Sequence, residues 1–138
     1  GGKPLTDYIA LAQQAESFGF HTFSIFDDLM YKPAWPILFM IAQHTSRIRI
    51  GPSVSNPYLI HPAILAENAA LLDELSAGRA YFGIGRGAFL EFIGVSTPKP
   101  ITTVREAIAM ARRLWRGDAG HGARGRTTGG RNPPQRTR

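Results

Sequence analysis

Cysteine is absent from this 138-residue chain, which excludes disulfides and thiolate chemistry and fits a reducing compartment. Long apolar runs are absent too: the longest, around Trp35 to Ala42, contains Pro36 and is too short to span a bilayer. The Gly-Gly-Lys-Pro start lacks the charged and apolar regions of a signal peptide. A cytoplasmic location and no membrane partner are therefore expected. The histidines, His21, His44, His61 and His121, do not pair at ligand spacing, so no metal site is expected. What the chain does have is 43% hydrophobic residues, enough for one core.

Acidic residues are few near the C-terminus. The formal charge is +6 overall, but residues 1–116 carry 11 Lys and Arg against 9 Asp and Glu, whereas residues 117–138 carry 5 Arg against Asp118 alone. That last segment, GDAGHGARGRTTGGRNPPQRTR, has no aromatic residue and no Leu, Ile, Val or Met. It cannot bury enough apolar surface to offset its chain entropy, and it is expected to be a disordered basic tail. One reading makes it a nucleic-acid arm. Without interleaved aromatics for base stacking, the favoured reading is an inert terminus or a chain that has left its reading frame, and nucleic acid is not the expected partner.

Residues 1–116 read as a helix followed by strand-helix units. Leu5, Tyr8, Ile9, Ala12 and Ala15 recur at helical spacing, with Gly19 at the C-cap. Thr22 to Phe26 reads as a buried strand ending at Asp27-Asp28, and a helix is expected near Pro36 to His44. Arg47 to Val54 is the next strand. Pro62 then opens a helix whose Ile64, Leu65, Asn68, Leu71, Leu72 and Leu75 form a mostly apolar face, closed by Ser76-Ala77-Gly78. Ala80 to Ile84 is expected as a further strand, and Thr103-x-x-Glu106 as the capping box of a last helix ending near Arg116. Regular alternation implies α/β architecture with parallel strands and right-handed crossovers, either an open doubly wound sheet or part of a (β/α)8 barrel. In both, chemistry sits where the strands end: Asp27-Asp28, Gly51 to Tyr58, and Gly83 to Ala88.

Gly83-Ile84-Gly85-Arg86-Gly87-Ala88 satisfies the G-x-G-x-x-G/A pattern, whose glycines let a helix N-terminus approach a pyrophosphate. The pattern requires a long helix directly after it and an acid at the end of the next strand. Phe89 to Gly94 leaves room only for a short turn before Pro98 and Pro100, and Glu106 falls inside a helix. A Rossmann-like nucleotide-binding domain is therefore kept as the alternative.

The stretch VSNPYLIHPAILAENAALLDELSAGRAYFGIGRG resembles the luciferase-like monooxygenase superfamily, and most closely its deazaflavin-dependent branch. GFHTFSIFDD and PITTVREAIAMARRLW extend the resemblance on both sides, over about residues 5–116. It implies a partial TIM (β/α)8 barrel. A whole barrel needs roughly 250 residues, and this chain would supply strands two to four with their helices, without the first strand or anything beyond the fourth helix. The implied cofactor is the deazaflavin coenzyme F420 or FMN. The implied function is hydride transfer or monooxygenation on a small organic substrate, with the isolated fragment inactive. The non-enzymatic alternative is a half-barrel that acts only by association through its open sheet edges, as a homo-oligomer or with another chain.

The resemblance also assigns residues. It implies a cis peptide at Ser53-Val54, forming a bulge behind the coenzyme ring. Asp27 is implied to contact the coenzyme. Asp28 stands where the family has a proton-handling His, so a catalytic role for it would need a shared, raised carboxyl proton, against the alternative of a solvated loop acid. Asn56 matches a position at the ring edge, where an amide donor suits a ring carbonyl, although an Asn before Pro57 also suits a plain turn. Gly85, Arg86 and Gly87 end a strand where small residues admit a ligand and Arg86 can meet an anion, the alternative being a surface salt bridge. Ala88 occupies a position where several relatives carry an acid, and it cannot transfer a proton. Asp73, Glu74 and Arg79 are expected to form structural salt bridges, and Trp35 and Trp115 to pack.

Overall fold

In the computed structural model, residues 3–118 are described. Most of the basic 117–138 segment thus lies outside the described residues. Gly117 and Asp118 belong to the end of the last helix: the Asp118 N–H donates to Arg113 O at 2.9 Å, and Gly117 takes φ +74°.

Helix α1 (Leu5–Ser17) ends as the glycine signal requires. Gly19 takes φ +81° and the Phe20 N–H turns back to Ala15 O at 3.0 Å. Of its apolar stripe only Ala12 is fully buried; Leu5 is exposed, and Tyr8, Ile9 and Ala15 lie at the core margin. Strand β1 (Thr22–Ile25) leads through an irregular loop to helix α2 (Ala34–His44), which starts two residues earlier than the periodicity predicts because Pro36 is tolerated in a first turn. Ala34, Trp35, Ile37, Leu38, Ile41 and Ala42 are buried on α2, which packs against α1, helix α3 (Pro62–Leu75) and the strands.

Strand β2 (Arg49–Pro52) pairs in parallel with β1, Thr22 opposite Arg49 through Ile25 opposite Pro52. Ile25, Ile48, Ile50 and Pro52 are buried. The strand expected at Ala80 to Ile84 is not regular. It meets the β2 segment at two isolated parallel bridges, Ile50 with Ala80 and Ser55 with Ile84. Between these bridges one side advances one residue more than the other, so the 50–55 side carries a bulge, and the bulge interrupts the ladder.

Helix α3 begins as predicted, with His61 Nδ1 accepting the Ala63 N–H at 3.2 Å and Pro62 in the first turn. Its buried face differs from the expected one. Leu65, Ala66, Ala69 and Leu72 point inward, whereas Ile64, Leu71 and Leu75 are exposed. Counting large side chains misplaced the face, since two alanines are what allow α3 to approach its neighbours closely. Ser76-Ala77-Gly78 closes the helix, with the Gly78 N–H bonded to Asp73 O at 2.9 Å.

A short 3-10 turn (Leu90–Ile93) precedes helix α4 (Pro100–Trp115). The capping box does not form: Pro100 starts the helix, so Thr103 already lies in its first turn and donates its hydroxyl to Pro98 O at 3.4 Å. Trp35 packs in the core. Trp115 lies against the edge of Phe82 and donates Nε1–H to Ala66 O at 3.0 Å. Among the described residues no helix is long and apolar enough to cross a membrane.

Candidate functional site at the strand ends

The bulge decides which side chains face which way. In a parallel bridge the paired residues point to the same side, so Ile50, Ala80, Ile84 and Ser55 share one face. Plain alternation from Ile50 would put Val54 on that face and Ser55 on the other. The extra residue reverses this: Ser55 becomes fully buried, and Val54 lies over Gly83 and Gly85 on the opposite face. The Ser53–Val54 peptide in this bulge is cis.

The glycines of the GIGRG stretch are required by these neighbours. A Cβ on Gly85 would stand 2.8 Å from Val54 Cγ2, and one on Gly87 would stand 2.8 Å from Asn56 Nδ2. Gly87 also takes φ +87°, which an L side chain rarely adopts. Gly85 and Gly87 therefore admit the Val54 and Asn56 side chains.

Asp27 and Ser55 are joined by a hydrogen bond from the Ser55 hydroxyl to Asp27 Oδ2. Asp28, next in the chain, is half-buried, and its side chain makes no hydrogen bond among the described residues. The two carboxylates are therefore not joined as a hydrogen-bonded pair. Asn56 is 3% exposed. Its Oδ1 accepts the N–H groups of Tyr58 and Leu59 at 3.2 and 3.0 Å, the turn geometry expected of an Asn before Pro57. Its Nδ2 has no acceptor among the described residues, so one end of the amide builds the loop and the other remains available to a ligand. Ser53 is tied through its N–H to Ile25 O at 2.8 Å, which carries the β1–β2 pairing into the bulge.

Arg86 stands apart from this group. It is exposed, forms no ion pair among the described residues, and its Nε–H reaches only the adjacent Gly87 O at 3.3 Å. The helix that the dinucleotide pattern needs is replaced by Leu90–Ile93, a single 3-10 turn, so the Rossmann alternative lacks its anion-binding element.

Sequence reasoning missed Ser55 and Tyr58. The Tyr58 hydroxyl donates to Pro98 O at 2.7 Å and fastens the loop after the bulge to the approach of α4. No motif marks either residue, because the parity change that buries Ser55 is visible only in the pairing. A cleft of about 660 Å³ lies elsewhere, between α3, Ala80–Phe82 and the end of α4; Asp73, Tyr81 and Trp115 are among its lining residues, and no predicted site residue is.

Among the described residues, the salt bridges expected around Asp73, Glu74 and Arg79 are not formed. All five N–H donors of Arg79 go to other oxygens: Ser76 O, Thr45 Oγ1, Ile48 O, Ala42 O and Thr45 O, at 2.7 to 3.0 Å. The guanidinium sits at the C-terminus of α2, where free carbonyls and the helix dipole favour a cation.

Comparison with known proteins places these features in a family. The model of the luciferase-like monooxygenase family matches residues 1–138. A 5,10-methylenetetrahydromethanopterin reductase of Archaeoglobus fulgidus is 38% identical over 107 residues, covering 76% of this chain and 32% of the relative. The coenzyme F420 dependent tetrahydromethanopterin reductase from Methanopyrus kandleri superposes with a TM-score of 0.75 at 31% identity, over 80% of this chain and 37% of that one. A type II Baeyer-Villiger monooxygenase of Pseudomonas putida in complex with FMN, at 24% identity and a TM-score of 0.69 over 80% of this chain and 33% of that one, shares the fold. The chain thus spans about a third of the length of the curated relatives it matches.

Proposed function

The chain belongs to the luciferase-like monooxygenase family, and from that premise we propose that it is part of a flavin- or deazaflavin-dependent oxidoreductase acting on a small organic substrate. In this reading its strands are three consecutive staves of a (β/α)8 barrel, and their C-terminal ends form one wall of the coenzyme site. The observation that carries the reading is the meeting of Asp27, the Ser53–Val54 bulge and Asn56 at adjacent strand ends, each held by hydrogen bonds or close packing.

The donor set fits the ring of either coenzyme. A flavin or deazaflavin ring edge alternates carbonyl acceptors with an N–H donor. Asn56 offers a nearly buried Nδ2 donor without an acceptor among the described residues, and Asp27 offers Oδ1 as an acceptor. Ser53 and Val54 supply the surface behind the ring, which is held in place because Gly83 leaves room for the Pro52 carbonyl and Gly85 for Val54. When bound, the deazaflavin coenzyme supplies hydride transfer, and reduced FMN supplies monooxygenation. Asp28 follows Asp27 directly in the chain and its carboxylate makes no hydrogen bond among the described residues, so it is assigned the proton-handling position. Ala88 cannot share that task, and the reactions named for the reductase relatives are therefore not carried over to this chain.

Titration of the purified chain with coenzyme F420 and with FMN, followed by fluorescence and with the solution mass measured in parallel, tests the reading. Saturable binding of one coenzyme is expected, and absence of binding to both overturns it. A second reading, association of a half-barrel with another copy or chain, is favoured by the outer edge of β1, which has no neighbouring strand among the described residues, and by the exposed Phe26 beside it. An oligomer that binds neither coenzyme is its expected outcome.

A further inference from the structure

Ser55 is the point where three strand ends are tied together. Its N–H donates to Gly83 O at 3.0 Å and its carbonyl accepts the Gly85 N–H at 2.9 Å, so its backbone is committed to the segment on one side. Its hydroxyl turns to the other side and donates to Asp27 Oδ2 in the loop after β1. In this bond the serine hydroxyl is the donor and the carboxylate oxygen the acceptor. Ser55 is fully buried, and a buried hydroxyl is costly to leave without an acceptor, so the bond to Asp27 is enforced from the serine side.

Asp27, by contrast, stands two residues beyond the end of β1, after Phe26, in a loop without regular structure. Among the described residues its carboxylate has one partner, the Ser55 hydroxyl on Oδ2, and Oδ1 accepts nothing. A carboxylate fixed by one oxygen presents the other in a defined direction. A carboxylate without that tether samples several rotamers and must be ordered when a ligand binds.

We propose that Ser55 is a positioning residue for the coenzyme site: by holding Asp27 Oδ2 it orients Oδ1 as the acceptor for an N–H or O–H donor of the coenzyme ring. The inference rests on the flavin or deazaflavin reading above and deepens it. It also gives the bulge a second task. Placing Val54 against Gly83 and Gly85 reverses the parity of the chain, and that reversal brings the Ser55 hydroxyl to Asp27.

Two measurements on the full chain separate the inference from the reading it rests on. The first needs no coenzyme: three-bond couplings about χ1 of Asp27, measured by NMR in the wild type, Ser55→Ala and Ser55→Thr. A single rotamer is expected in the wild type and in Ser55→Thr, which keeps the hydroxyl, and an averaged one in Ser55→Ala. Unchanged couplings in Ser55→Ala overturn the positioning role, whatever the coenzyme does. The second is the dissociation constant for coenzyme F420 and FMN, by fluorescence, in the same variants and in Asp27→Asn with and without Ser55→Ala. Ser55→Ala is expected to weaken binding about tenfold, Ser55→Thr to restore it, and Ser55→Ala to add little once Asp27 is Asn. Equal weakening by Ser55→Ala in both backgrounds refutes action through Asp27. Failure of the wild type to bind either coenzyme overturns the functional reading itself, while the couplings still decide whether Ser55 holds Asp27. Loss of fold in Ser55→Ala, seen by circular dichroism, leaves the decision to Ser55→Thr, whose wild-type couplings and affinity support the inference and whose loss of either overturns it.

Discussion

Replacing Glu16 by glutamine probes how the connection between α2 and β2 is held. The Glu16 carboxylate accepts the backbone N–H groups of Ser46, Arg47 and Ile48, at 3.0, 2.5 and 2.8 Å from Oε1. Burial pushes its proton affinity up, but the N–H groups of Ile48, Arg47 and Ser46, with the nearby Arg47 charge, outweigh that effect and hold the pKa at about 2, against an ordinary 4.5. A lowered folded-state pKa means that the unfolded chain binds the proton more tightly. The ionised carboxylate therefore contributes its full stabilisation above pH 4.5, and loses it as the pH falls from 4.5 through about 2.

The size follows from the same values. At about 1.36 kcal/mol per decade of proton affinity, a fall from 4.5 to about 2 corresponds to ~3.4 kcal/mol. Glu16 is partly exposed, and solvent screening reduces this to ~1–2 kcal/mol. Glutamine keeps the shape and one acceptor oxygen but not the charge. Urea unfolding followed by far-ultraviolet circular dichroism should show Glu16→Gln less stable than the wild type by ~1–2 kcal/mol near neutral pH. The gap should hold down to pH 4.5 and close toward pH 2. A gap of the same size at every pH would refute the reasoning, because the lost stability would then not come from the charge.

Arg79→Lys should cost ~2–3 kcal/mol in the same assay, since one ammonium cannot reproduce a fork that reaches five oxygens; a lysine variant as stable as the wild type would contradict this. Glu16→Gln combined with Arg79→Lys should be non-additive, because Ile48 donates to one residue and accepts from the other. Gly85→Ala, which brings a Cβ to 2.8 Å from Val54 Cγ2, is expected to weaken coenzyme binding at least tenfold with a smaller effect on the melting temperature; unchanged affinity would show that the Val54 position is immaterial. Tyr58→Phe should lower stability by ~1 kcal/mol through loss of the 2.7 Å bond to Pro98 O, and an unaltered unfolding midpoint would count against it.

Local signals in the sequence locate most elements correctly, and the failures have physical causes. Gly19, His61-Pro62 and Ser76-Ala77-Gly78 mark helix ends because each has a backbone requirement that few residues meet. Thr103 fails as a cap because Pro100 offers an earlier start, a competition that spacing alone does not decide. The third strand segment looks regular as AYFGI but pairs only at its ends, since the interruption originates in the neighbouring segment. The same displaced register hides Ser55. Asp27 and Asn56 can be picked out from their place at strand ends, whereas the residue that connects Asp27 to the bulge carries no mark in the sequence until the register is known.

The two ends of the strands have different tasks, and the hydrogen bonds show why the tasks can be separated. At the N-terminal ends, Glu16 takes the N–H groups and Arg79 the carbonyls of the stretch from Ala42 to Ile48, so a carboxylate and a guanidinium satisfy a turn that leaves α2 without helical partners. Both ions are committed mostly to backbone, and Arg79 has no N–H left for a ligand. At the C-terminal ends the polar groups are only half engaged: Asp27 uses one carboxylate oxygen and Asn56 only its carbonyl oxygen, among the described residues. A group bound at one end and free at the other is positioned without being satisfied. It follows that substitutions of Glu16 or Arg79 should move unfolding midpoints while leaving the affinity of the folded protein for a coenzyme nearly unchanged, whereas substitutions around Asp27, Ser55 and Asn56 should lower that affinity in the variants that remain folded. A Glu16→Gln variant that remains folded yet loses coenzyme affinity as much as Ser55→Ala would show that the two ends are not independent.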